Sequence, residues 1–184
     1  MEKNNSMSDN KSDRQMLTGM FADRESTEQA YNSLHERGYT KDDINLVMSD
    51  DTRKKHFSGE MRDTELGTKA AEGAGKGSAI GGTVGAIAGV IAAIGTSLVI
   101  PGIGLVVAGP IAAGLAGAGA GGITGGIIGA LVGSGIPEER AKLYESGVKD
   151  GRIVMGIHPR NEEDAKYFTE KWRAHNGEEI HSGI

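Results

Sequence analysis

Histidines, adjacent acidic pairs and a glycine-spaced string are the residues of this chain whose types could do chemistry. His35, His56, His158, His175 and His181 are ligands by type, because neutral imidazole binds transition metals readily. No His-Glu-x-x-His spacing joins any two of them, so solvated or capping roles are expected. The pairs Asp42-Asp43, Asp50-Asp51 and Glu138-Glu139 could serve as acid and base. Neighbours in a surface loop seldom face one pocket, however, and carboxylates at a helix start are explained by the positive end of its dipole. Gly117, Gly119 and Gly122 spell G-x-G-x-x-G, but a dinucleotide fingerprint must follow a strand within a βαβ unit, and this one sits inside a longer glycine repeat. Gly75-Lys76-Gly77 has no Ser or Thr after the lysine, so it misses the phosphate-loop pattern. No catalytic, cofactor-binding or metal residue is assigned, no cofactor or small-molecule substrate is expected, and the chain reads as a non-enzyme.

Composition says where else to look. Thirty glycines among 184 residues is far above the ~7% of ordinary proteins. Cysteine is absent, which removes disulfides and thiolate chemistry and suits a reducing compartment. A net charge of −5 argues against nucleic acid, whose phosphates require clustered Lys and Arg. Met1 to Gln15 is polar, with no apolar core before a cleavage site, so no secretory signal is read and a cytoplasmic domain is expected.

Charge divides the chain. Between Lys76 and Glu138 there is no Asp, Glu, Lys or Arg, whereas the flanks are rich in them. We expect residues 1–15 to be a disordered tail, 16–65 and 137–184 to be two halves of one α/β domain, and 66–136 to be a glycine-zipper helical hairpin. In the first half, Leu17 to Phe21 alternates as a strand. Asp23 and Ser26 then start a helix over about Thr27 to Arg37, with Ser26 and Gln29 at capping-box spacing. Ala30, Tyr31 and Leu34 form its inner face, Gly38 ends it, and Ile44, Leu46 and Met48 alternate as the next strand. In the second half, Pro137 opens a helix with Ala141, Tyr144 and Val148 on one face, and Gly151 stops it. Ile153, Met155 and Ile157 mark a strand; Asn161 caps a helix with Ala165, Phe168 and Trp172 inward; Gly177 closes it before a strand near Glu179 to His181. The two halves share an order of Arg24 or Arg160, an acidic turn, Ala, Tyr and Gly. The fold class expected is α+β, a ferredoxin-like split βαβ domain interrupted by the hairpin.

The insertion carries two ladders: Gly73, Gly77, Gly81, Gly85 and Gly89, then Gly117, Gly121, Gly125, Gly129 and Gly133. On a helix, steps of four make a smooth stripe that another backbone can approach closely. Ile80, Val84, Ile87, Ile91, Ile94 and Leu98 run well away from the first ladder, and Ile123, Ile127 and Leu131 lie opposite the second. Pro101-Gly102 is the expected reversal point, and Pro110 kinks the second helix or marks its start. Each exposed helical glycine costs ~1 kcal/mol against alanine, so ten must be repaid by packing. These glycines are the expected helix-packing interface. Gly77 to Ile100 and Ile103 to Ser134 exceed the ~20 residues that cross a bilayer, and Lys69 and Lys76 could meet anionic headgroups. The aromatic belt usual at a membrane interface is missing.

Three motifs carry a family resemblance: Phe21-x-Asp23-Arg24; Gly38-Tyr39 with Asp42-Asp43; and Pro137-Glu138-Glu139 continuing to Tyr144-Glu145-x-Gly147-Val148-x-x-Gly151. With the glycine-zipper insertion between them, FADRESTEQAYNSLHERGYTKDDINLV and GIPEERAKLYESGVKDGRIVMGIHP resemble the bacterial general stress protein family, the heat-induced, 17M-like domain. The resemblance spans about Leu17 to Ile180. It implies a stress-associated role, a membrane-associating hairpin and no established enzymatic activity.

The expected function is therefore a non-enzymatic stress-response protein whose hairpin inserts in or associates with membrane lipid and makes a homo-oligomer through its glycine ladders. The alternative is a soluble homo-oligomeric ring, shell or filament with the hairpins at its centre. A ligand-sensing regulatory domain is the third reading, with no residue that names a ligand.

Overall fold

The computed structural model describes residues 16–57, 98–100, 104–112, 126–133 and 135–182. The expected tail over 1–15 and most of the expected hairpin lie outside these residues. The chain is a mixed α+β protein. In order, it runs β1 Leu17–Phe21, α1 Arg24–Glu36, a short 3-10 turn Lys41–Asp43, β2 Ile44–Ser49, α2 Asp50–Phe57, β3 Leu98–Ile100 and β4 Leu105–Ala108. It continues through α3 Gly126–Gly133, α4 Glu138–Lys149, β5 Ile153–Ile157, α5 Glu162–Ala174 and β6 Glu178–His181.

The strands form one six-stranded sheet in the order β3-β4-β2-β5-β1-β6, and every neighbouring pair is antiparallel. Alternation along each strand sorts side chains between two faces. Leu17 and Phe21, Ile44, Leu46 and Met48, Val106 and Ala108, and Ile153, Met155 and Ile157 join a core with Ala30 and Leu34 of α1, Phe57 of α2, and Phe168 and Trp172 of α5. Met20, Val47, Leu105, Val107 and Val154 join a second core with Ile127 and Leu131 of α3 and Ala141, Tyr144 and Val148 of α4. The sheet is thus covered on both sides. Fully burying each large apolar side chain contributes roughly 1.5–3 kcal/mol, so both layers are substantial. On the second face α4 lies very close to the sheet, because Gly147 has no side chain: a Cβ there would overlap the Met20 sulfur.

Local signals in the charged flanks act largely as expected. Gly38 and Gly151 adopt φ +74° and +89° after their helices, Pro137 precedes α4, and the Asn161 side chain accepts from the Asp164 N–H at the start of α5. Other details differ. Asp23 caps α1, accepting from the Ser26 N–H at 2.8 Å, so the helix begins at Arg24 and Ser26 is not the cap. Arg24 and Arg160 both lie between a strand end and an acidic first turn, but Arg24 is the first residue of α1, whereas Arg160 precedes the cap of α5. At the end of α5, Asn176 takes the left-handed conformation at φ 59°, because an amide side chain tolerates that region better than most. The chain after β2 is a helix and not a loop, with the Ser49 hydroxyl accepting from Thr52 N–H at its start and Phe57 buried at its end.

The largest correction concerns the insertion. Leu98–Ile100 and Leu105–Ala108 are strands, paired as Leu98↔Val107, Val99↔Val106 and Ile100↔Leu105, so no continuous helix runs from Ile103 to Ser134. The chain reverses between Ile100 and Leu105, but from strand to strand. These residues fall in the interval between the ladders, after Gly89 and before Gly117. Valine and isoleucine lose side-chain freedom in a helix and suit a pleated surface. An apolar run buried on both faces also has no period to distinguish strand from helix. Leaving β4, Gly109 at φ +99° passes so close to β2 that a Cβ would overlap the Ile44 carbonyl oxygen. Pro110 then starts a helical turn, and the buried Asn45 side chain accepts from the Ile111 N–H at 2.9 Å while donating to the Gly156 carbonyl. This one amide fastens the returning chain to the sheet.

Edge strand β6 carries an irregularity. Its register against β1 shifts between Thr18 and Met20, and Glu179 sits at φ 49°, as in a β-bulge.

Candidate functional site

Of the ten ladder glycines, Gly129 and Gly133 lie on α3; Gly73, Gly77, Gly81, Gly85, Gly89, Gly117, Gly121 and Gly125 lie outside the described residues. Gly133 shows how that end of the ladder is turned. Ile127 and Leu131 point inward and are 3% and 1% exposed, whereas a Cβ on Gly133 would meet nothing within 4 Å. Val132 is 41% exposed. The bulky side of α3 is consumed by the protein's own core, and the glycine end looks outward. A helix without any polar side chain normally has to be covered all round, and GIIGALVG has none.

The other sequence candidates are separated. His35 and His158 are exposed, and His56, His175 and His181 are half-buried; among the described residues no cluster of three or more His, Cys, Asp or Glu could hold a metal ion. Asp42 and Asp43 lie in the 3-10 turn, where Asp43 and Thr40 form a capping box. Asp50 pairs with Arg53 and Lys54, and Lys54, then Arg53, hold its carboxyl below the ordinary range. Glu138 pairs with Lys142 at 2.7 Å, which lowers its pKa as well. Gly117, Gly119, Gly122, Gly75, Lys76, Gly77 and Lys69 lie outside the described residues.

Two polar constellations escaped the sequence reading. At one end of the sheet, the Tyr39 hydroxyl donates to Asp164 at 2.7 Å and accepts from the Arg160 backbone N–H at 2.8 Å. Arg37 binds the other Asp164 oxygen at 2.6 Å, and Arg160 donates to the carbonyls of Arg37 and Gly38. Burial pushes the Tyr39 hydroxyl up to about 12, with the Asp164 carboxylate adding to it and the Arg160 N–H opposing. The Arg160 guanidinium stacks 4.1 Å above the Tyr39 ring. These bonds clamp α1 to α5. On the second face, Thr18 and the Tyr144 hydroxyl meet at 2.7 Å, and Tyr144 donates to the Glu179 carbonyl. Arg140 pairs with Glu179 at 2.8 Å, and Arg152 pairs with Glu178. Burial, then the charge of Arg140, lowers the pKa of His181. Partners more than twenty residues apart leave no local spacing to read.

No described helix is long and apolar enough to cross a membrane. The chain matches no family model, no curated protein and no solved structure.

Proposed function

We propose that the chain is a non-enzymatic, self-associating protein, in which a ferredoxin-like sheet domain presents a glycine-ladder insertion to further copies of itself. The order β2-β5-β1-β6, with α1 following β1 and α5 following β5, supports the ferredoxin-like reading. The observation that carries self-association is α3, whose apolar stripe faces inward while Gly133 and Val132 face out. The remaining ladder glycines extend the same small-residue spacing. The stress-associated role rests on the resemblance of the two charged flanks.

Light scattering on detergent-free full-length protein tests the reading. We expect an oligomer, and Gly133→Leu should weaken it by about tenfold or more by blocking close approach, with thermal stability of the fold unchanged because the added side chain meets open space. A monomeric wild type, or an oligomer indifferent to Gly133→Leu and Gly125→Leu, overturns it.

Membrane association is a second reading, favoured by the absence of charge between Lys76 and Glu138. Co-flotation with anionic vesicles supports it; recovery of all the protein in the lipid-free fraction rejects it.

A further inference from the structure

Asn176 is the one asparagine of the chain that a glycine follows. It is exposed at the end of α5, with its backbone in the left-handed conformation at φ 59°. A glycine on its carboxyl side leaves the next backbone nitrogen unshielded, so that nitrogen and the side-chain carbonyl carbon of Asn176 are suited by type to close a five-membered ring. The fold opposes this. The Gly177 N–H donates to the Trp172 carbonyl at 2.7 Å, and Trp172 is fully buried. Attack needs the Gly177 nitrogen to lose that proton and turn its lone pair toward the side chain, which the bond prevents. The turn also has no slack. A Cβ at position 177 would lie 2.7 Å from the Trp172 oxygen and 3.1 Å from both Phe21 and Ile180, and the next residue, Glu178, already pairs with Met20 of β1.

We infer that Asn176–Gly177 is a site of spontaneous deamidation that the fold keeps silent and that reacts when the turn between α5 and β6 opens. Solvent base removes the Gly177 amide proton, the nitrogen bonds to the Asn176 side-chain carbonyl carbon, and ammonia leaves, taking its extra proton from water. Water then adds to the succinimide and breaks one of its two ring carbon–nitrogen bonds, which leaves aspartate or isoaspartate. Aspartate preserves the chain path, since an acidic side chain also tolerates the left-handed region. Isoaspartate routes the backbone through the side chain and inserts one methylene between α5 and β6. That extra length strains the Met20–Glu178 pairing and the Arg140–Glu179 ion pair at 2.8 Å, and β6 is loosened. This chemistry is independent of self-association.

The test incubates the full-length chain in mildly alkaline buffer, folded and in urea, and follows Asn176 by mass spectrometry of its peptide. Conversion should be at least about tenfold faster in urea, because the folded chain must first open locally. Asn161, followed by Glu162, should keep its amide in both. Arg140→Ala, which removes the Glu179 ion pair, should speed conversion of the folded chain and leave the rate in urea unchanged. The isoaspartyl fraction, separated by chromatography, should show faster amide exchange in β6 while α1 keeps its protection. Asn176→Gly keeps a left-handed turn and has no amide to lose, so its β6 exchange should stay constant during incubation. Equal rates in folded and unfolded chain overturn the gating by the fold, and conversion in urea no faster at Asn176 than at Asn161 overturns the site. Unchanged β6 exchange in the isoaspartyl fraction, or equal loosening of β6 in aged Asn176→Gly, overturns the consequence for the strand.

Discussion

The two helical layers on this sheet are built from opposite materials. The layer of α1 and α5 is amphipathic: Ala30, Leu34, Phe168 and Trp172 are inside, and its loops are joined by the hydrogen bonds of Tyr39, Asp164, Arg37 and Arg160. The layer of α3 and α4 packs equally well inward but leaves Val132, Gly133 and Leu143 outside. One layer is finished by itself. The other leaves an apolar surface outside, and this contrast is why the proposed self-association is assigned to the second side.

The contrast can be broken from the finished side first. Asp164→Ala leaves the Arg37 and Tyr39 donors without their shared acceptor, and we expect a loss of about 3 kcal/mol, read as urea unfolding by fluorescence of Trp172. Self-association should survive at temperatures where the variant stays folded. Asn45→Ala should cost roughly 1–3 kcal/mol by leaving the Ile111 N–H unpaired. Its distinctive mark should be faster amide exchange at 105–112, while α1 and α5 keep their protection. The smallest effect concerns pH. His181 has its folded-state pKa below the ordinary value through burial and Arg140, so on acidification the unfolded chain binds the proton first. The His181 contribution is intact above pH ~6.5 and declines as pH falls below it. A urea midpoint that declines equally in His181→Gln would show that the histidine is not responsible.

Much of the charged flanks was legible because their signals are local. Asn161, Pro137, Gly38 and Gly151 stop or start helices within a few residues of themselves, and Ile44, Leu46 and Met48 announce one face by alternation. The other face was also written, in Met20, Val47 and Val154, but a strand apolar on both sides was read for only one of them. That omission hid the second layer. Leu98–Ile100 and Leu105–Ala108 were absorbed into a helical reading because an uninterrupted apolar run has no diagnostic period, and only pairing with β2 resolves it. The clamp between Tyr39 and Asp164 joins residues 125 apart, a distance that no spacing rule spans. The ladder was legible as a pattern; which way it faces was not, since that depends on Ile127 and Leu131 finding the sheet.

The bulge in β6 has a consequence for what the sheet does at high concentration. Its outer rim offers carboxylates at Glu178 and Glu179 and hydrogen-bonding groups thrown out of phase where the register slips. An incoming extended segment would find neither matching bonds nor neutral company there, so fibre-like stacking is discouraged along that rim. For the self-association proposed above, the β6 rim therefore offers no second route of growth.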